Sequence, residues 1–162
     1  MWWGGLYVII TDLTTDTIKV LLVYILQRNP KKIDMAINTA KKKNEQALDE
    51  ATQQIATLIA KAADDKKAVD VVILDVHNLT SVADYFVVAS APSDRQVQAI
   101  IRNVEDALRE HGVRATSIEG LKTSSWVLLD FGDVIFHCFT ESAREYYDLE
   151  GFWIDAPRIS WT

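Results

Sequence analysis

A chain of 162 residues can bury one sizeable core, and an apolar fraction of 49% beside 25% charged residues is ordinary for a globular protein. The net charge of −6 argues against wholesale phosphate binding, which needs a basic face, and suits docking onto a basic protein. The single cysteine, Cys138, excludes an internal disulfide and a cysteine-rich zinc cluster, and fits a reducing, cytoplasmic setting.

The opening MWWGGLYVIITDLTTD lacks the basic region and cleavage site of a secretory signal, and the apolar run Val20 to Leu26 is too short to cross a bilayer. Neither a targeting signal nor membrane association is expected. Residues 1–34 differ in pattern from the rest, with apolar clusters LYVII and KVLLVYIL ahead of a break at Asn29-Pro30. They are set apart as an N-terminal extension. Either they form a hairpin or helix packed on the domain, or they lie upstream of a chain that starts at Met35.

From Asn44 to about Ala63 the pattern is helical, with Leu48, Ala51, Ile55, Leu58, Ile59 and Ala62 on one stripe. Two β-like runs follow, Val71 to His77 and Asp84 to Ala91. Ser93 then caps a second helix, with Gln96 completing a capping box and Val97, Ile100, Ile101, Val104 and Leu108 as its buried stripe. His111-Gly112 closes that helix. A short strand from Ala115 to Gly120 precedes the run WVLLDFGDVIFHCF, and Thr140 caps a last helix through ESAREYYDLEG. The order predicts an α/β (α+β) fold: one domain, residues 35–154, with a mixed five-stranded sheet, flanking helices and a C-terminal tail, 155–162.

Gly132-Asp133 between apolar runs predicts a two-residue hairpin turn with glycine at the positive-φ position. Phe131 then faces Val134, Asp130 faces Ile135, Leu129 faces Phe136, Leu128 faces His137, Val127 faces Cys138 and Trp126 faces Phe139. Because faces alternate along a strand, one side of the hairpin is wholly apolar and belongs to the core. Cys138 lies on that side, away from His137, so the two cannot form a catalytic pair. The other side carries Trp126, Leu128, Asp130, Ile135, His137 and Phe139. Two readings of it are open. It is a protein-binding surface, or a helix covers it with Asp130 and His137 bonded diagonally.

Two further groupings carry weaker chemistry. Asp75 and His77 project from one strand face and, with Asp84 and Asp130 as the other acids, leave a metal-dependent nucleotidyltransferase-like enzyme as the alternative reading, set behind because there is no D-x-D pair and no phosphate loop. Ser90, Ser93 and Arg95 surround a helix N-terminus, where capping is the simpler role than anion binding. A second copy of the chain is a further candidate partner, through Tyr85 or the hairpin.

The run VVILDVHNLTSVADYFVVASAPSDRQVQAI, followed by IEG, WVLLDFGDVIFHCF and REYYDLEGFW, resembles the Iojap, or ribosomal silencing factor (RsfS), family from about Glu45 to Trp153. Residues 1–34 and the tail DAPRISWT have no counterpart in it. The resemblance implies a nucleotidyltransferase-like fold without enzymatic activity, cofactor or metal. It also implies binding to the fourteenth protein of the large ribosomal subunit on the face that meets the small subunit. Occupying that face blocks subunit joining and lowers translation under nutrient limitation; organelle members act in large-subunit assembly. The motif's residues correspond here to Trp126, Asp130, Gly132-Asp133 and His137, then Arg144, Tyr147, Leu149 and Glu150. Together with the mixed hairpin face, this marks Trp126, Leu128, Asp130, His137, Phe139, Arg144 and Tyr147 as the expected partner contacts, with no nucleic-acid reading. Gly151-Phe152 departs from the family's bulkier or charged pair, which leaves the end of the last helix open.

Overall fold

A computed structural model describes residues 30–162. The apolar clusters before Asn29 lie outside the described residues. Helix α1 spans Pro30–Asp65, with proline in the first turn, where its missing N–H costs nothing. The helix therefore starts well before the expected Asn44. Residues 37–47 are exposed and mostly polar, so little apolar periodicity marks that stretch. The chain divides after Ala47, within α1, and the sheet with its other helices lies in the unit Leu48–Thr162.

That unit runs β1 (Val69–Asp75), β2 (Tyr85–Ala91), α2 (Asp94–Glu110), β3 (Ser117–Glu119), β4 (Trp126–Asp130), β5 (Val134–Thr140), α3 (Glu141–Tyr147), α4 (Leu149–Phe152) and β6 (Arg158–Ile159). The sheet order is β3-β4-β5-β2-β1-β6. β2 and β5 pair in parallel and the other pairs are antiparallel, so the sheet is mixed, as expected. It has six strands, not five. The tail set apart as 155–162 supplies the sixth: Ile159 pairs with Ile73, and the Trp161 indole N–H donates to the Val71 carbonyl at 3.1 Å. A two-residue edge strand is too short to announce itself by alternation.

β2 sits between β1 and β5, and all seven of its residues are buried. Its unbroken run YFVVASA suits a strand covered on both faces. On one face α1 and α2 pack through Ala56, Ile59, Ala60 and Ala63 and through the predicted α2 stripe, onto Val87, Val127, Leu129, Phe136 and Cys138. Of the expected stripe, Ile59 and Ala62 are buried and Ile55 and Leu58 pack against the core, while Leu48 and Ala51 are exposed; Thr52, Ala56, Ala60 and Ala63 complete the buried side. Ser93 caps α2 by accepting from the Gln96 N–H at 3.3 Å. The Gln96 side chain reaches out to the Lys66 carbonyl, so the capping box is not closed.

The other face has a smaller cover. Leu74, Val76, Phe86, Val88, Ile135, Phe139 and Ala156 form a second buried cluster, with Ala143, Leu149 and Trp153 from the C-terminal segment packed on it. The expected single last helix is two. Thr140 caps α3, accepting from the Ala143 N–H at 3.3 Å, but Asp148 turns left-handed (φ 43°, ψ 50°) and α4 starts anew. The Asp148 carboxylate caps α4 through the Gly151 N–H. A Cβ on Gly151 would meet that carboxylate, the far end of a flexible side chain, so a larger residue there requires Asp148 to shift from the cap.

Candidate docking surface

The β4–β5 hairpin has the predicted register in full, from Trp126 opposite Phe139 to Asp130 opposite Ile135. Gly132 takes φ +88°, and its N–H donates to Asp130 Oδ1 at 2.7 Å, so the aspartate is tied to its own turn. Along β4 burial alternates, with Val127 and Leu129 enclosed and Trp126, Leu128 and Asp130 half-buried. Along β5 it does not, because β5 is a central strand beneath the C-terminal segment. Ile135, His137 and Phe139 are all buried. The mixed face is thus neither free nor closed. Its β5 half is roofed, and its β4 half is only partly covered.

Trp126 stands at the border. Its indole stacks on Phe139 (centroids 4.9 Å apart, planes 22°), Tyr147 tilts against it at 4.8 Å, and its N–H donates to His137 Nδ1 at 3.3 Å. Because Nδ1 is the acceptor, the proton of the neutral imidazole sits on Nε2, which is buried without a partner. Burial pushes the His137 pKa down to about 4, so the ring is neutral near pH 7. The diagonal Asp130–His137 bond is absent. Asp130 is bonded to Gly132, and His137 to Trp126.

Of the seven expected contacts, four reach the surface: Trp126, Leu128, Asp130 and Tyr147. His137 and Phe139 form the floor beneath Trp126, at 5% and 0% exposure, and cannot touch a docked protein directly. Arg144 is held internally. Its Nε and Nη2 donate to both Glu150 oxygens at 2.8 and 3.0 Å, and its Nη1 donates to Ser90 Oγ at 3.1 Å and the Val69 carbonyl at 3.3 Å. Sequence reading passed over Tyr146, Phe152 and Ile154, each about four-fifths exposed on the C-terminal segment. The aromatic density of EYYDLEGFWI was the available signal.

The secondary candidates resolve differently. His77 Nδ1 is bonded to Asp75 Oδ1, which raises the histidine pKa, and its Nε2 accepts from Asn78. Among the described residues no three His, Cys, Asp or Glu side chains converge to hold a metal ion. Ser90 faces Arg144, not the α2 terminus. Tyr85 is 2% exposed with its hydroxyl donating to Asp49 at 2.8 Å, so it does not face a second copy. Burial lifts the Cys138 thiol to about 12, in keeping with a core position. No described helix is long and apolar enough to cross a membrane.

The family model described as ribosomal silencing factor during starvation matches residues 49–162. The chain belongs to the ribosomal silencing factor family. A curated Bacillus subtilis relative named ribosomal silencing factor RsfS is 44% identical over 105 residues, covering 65% of this chain and 89% of that protein. A chloroplastic Iojap protein of Arabidopsis thaliana is 39% identical over 102 residues, 62% of this chain and 42% of that one. A crystal structure of a Chromobacterium violaceum protein superposes with a TM-score of 0.62 at 39% identity, covering 63% of this chain and 85% of that chain. The silencing-factor match starts just past the division after Ala47 and takes in the tail that forms β6.

Proposed function

We propose that this protein binds the fourteenth protein of the large ribosomal subunit, blocks joining of the small subunit and represses translation when nutrients are scarce. It acts by occupancy, without catalysis, in the compartment where ribosomes work, the cytoplasm. The observation that carries this reading is the partly open β4 half of the hairpin face. There Trp126 and Leu128 present apolar surface beside the Asp130 carboxylate, with Tyr147 extending it, in a chain of the silencing-factor family. A partly exposed tryptophan stacked on a buried aromatic is the kind of group in which interface energy concentrates. The net charge of −6 favours encounter with a basic ribosomal protein.

The test is titration of the full chain with the isolated fourteenth protein, beside a subunit-joining assay. Saturable binding, co-sedimentation with free large subunits, and loss of joining as the protein is added are the expected results. Joining that proceeds unchanged with the large subunit saturated overturns the silencing mechanism. Absence of binding overturns the partner.

A further inference from the structure

We propose that Arg144 and Glu150 are positioning residues for the docking surface: their ion pair, anchored on Ser90 and Val69, sets Tyr147 against Trp126. This rests on reading that surface as the docking site, and it changes the role expected of Arg144 from contact to support.

The need for such a device follows from the elements themselves. α3 has seven residues and α4 four, and neither buries a residue fully. Helices that short do not hold their own conformation in water. Between them Asp148 occupies the left-handed region, which aspartate reaches more readily than most residues with a Cβ, and its carboxylate bonds locally to the Gly151 N–H, so the kink fixes where α4 starts but not how the two helices sit on the sheet. The Arg144 guanidinium spans this kink. Two of its nitrogens grip the Glu150 carboxylate bidentately, a geometry more directional than a single contact. The third nitrogen reaches the sheet through Ser90 Oγ and the Val69 carbonyl, and Ser90 Oγ in turn donates to that carbonyl at 3.3 Å. One planar group therefore joins α3, α4, β1 and β2. The pair is sheltered, at 13% and 20% side-chain exposure, so loss of Glu150 leaves the Arg144 guanidinium poorly solvated and without a counter-charge, whereas Glu150 also has Arg158 Nη2 at 3.7 Å.

Tyr147 follows Arg144 by three residues, close to one helical turn, and rests on Trp126 at 4.8 Å. A rotation of α3 about its axis would carry Tyr147 off the indole and alter the surface offered to a partner. Arg144 has Nε, Nη1 and Nη2 all engaged internally, so its influence on docking must pass through Tyr147.

The experiment is a double-mutant cycle on the full chain. Affinity for the isolated fourteenth large-subunit protein is measured for the native sequence, Glu150→Ala, Tyr147→Ala and the double variant, with amide hydrogen exchange of each unbound protein. Glu150→Ala is expected to weaken binding about tenfold and to speed exchange over residues 141–153 alone. In the Tyr147→Ala background the same change is expected to cost no more than about twofold, because Glu150 acts through that ring. Where Glu150→Ala is not folded, Glu150→Gln, which keeps an acceptor for one guanidinium N–H, takes its place in the cycle. Losses that multiply in the double variant, or exchange unchanged over 141–153, overturn the proposal. Failure of the native chain to bind rejects the docking reading itself, while the exchange result still reports on the clamp.

Discussion

Trp126→Ala probes both the fold and the proposed docking surface. The indole is half-buried, stacked on Phe139 and bonded to His137, with its remaining surface open. Truncating a fully enclosed aromatic side chain costs about 3–5 kcal/mol, and one with part of its surface in water roughly half that, about 2 kcal/mol. For a chain of this size that lowers the melting temperature by roughly 4–8 °C. Removal of a central interface aromatic costs about 2 kcal/mol or more in binding, on the order of a thirtyfold rise in Kd. Leu129→Ala is the control, one residue further than the neighbouring Leu128 and on the opposite face from Trp126. At 0% exposure its truncation costs about 2–5 kcal/mol of stability. Measured well below both melting transitions, Leu129→Ala should bind like the native chain. Calorimetric melting and titration with the isolated fourteenth protein give both quantities. If Trp126→Ala melts as early as Leu129→Ala and binds normally, the indole is core and the argument for this surface fails.

The pH dependence of stability should carry a His137 component. Burial holds its pKa at about 4, below the ordinary 6.5, so the folded state binds fewer protons than the unfolded chain between those values. The stabilisation is full above about pH 6.5 and falls as pH drops toward 4, by about 3 kcal/mol at most. His137→Phe should flatten that slope in urea midpoints from pH 7.5 to 5, and an identical slope in both proteins would refute it. Gly120→Ala should destabilise by about 1–3 kcal/mol, because φ is +82° there and the new Cβ would meet the Trp126 carbonyl; an unchanged denaturation midpoint would refute this. Cys138, 0% exposed and with its thiol pushed up to about 12, should resist alkylation at pH 8 until denaturant unfolds the domain; rapid native labelling would count against the core assignment.

What the sequence determined by itself was local. Gly132-Asp133 set the hairpin register through turn geometry, and that register alone sorted Leu129 from Trp126 and Cys138 from His137. Ser93 and Thr140 marked two helix starts because capping needs only a side chain and an N–H three residues on. The tertiary structure decided what local chemistry does not encode. The parallel pairing of β2 with β5 joins residues about fifty positions apart, and it makes β5 central. That placement roofs His137 and Phe139 while leaving Trp126, Leu128 and Asp130, two strands from β2, half open. Where along α1 the predicted stripe meets the sheet was also a tertiary matter: Ile59 and Ala62 are enclosed with Ala56, Ala60 and Ala63, while Leu48 and Ala51 at its start stay exposed. Arg144 looked like a contact residue until Ser90, Val69 and Glu150 occupied its nitrogens, and those partners come from three separate places in the chain.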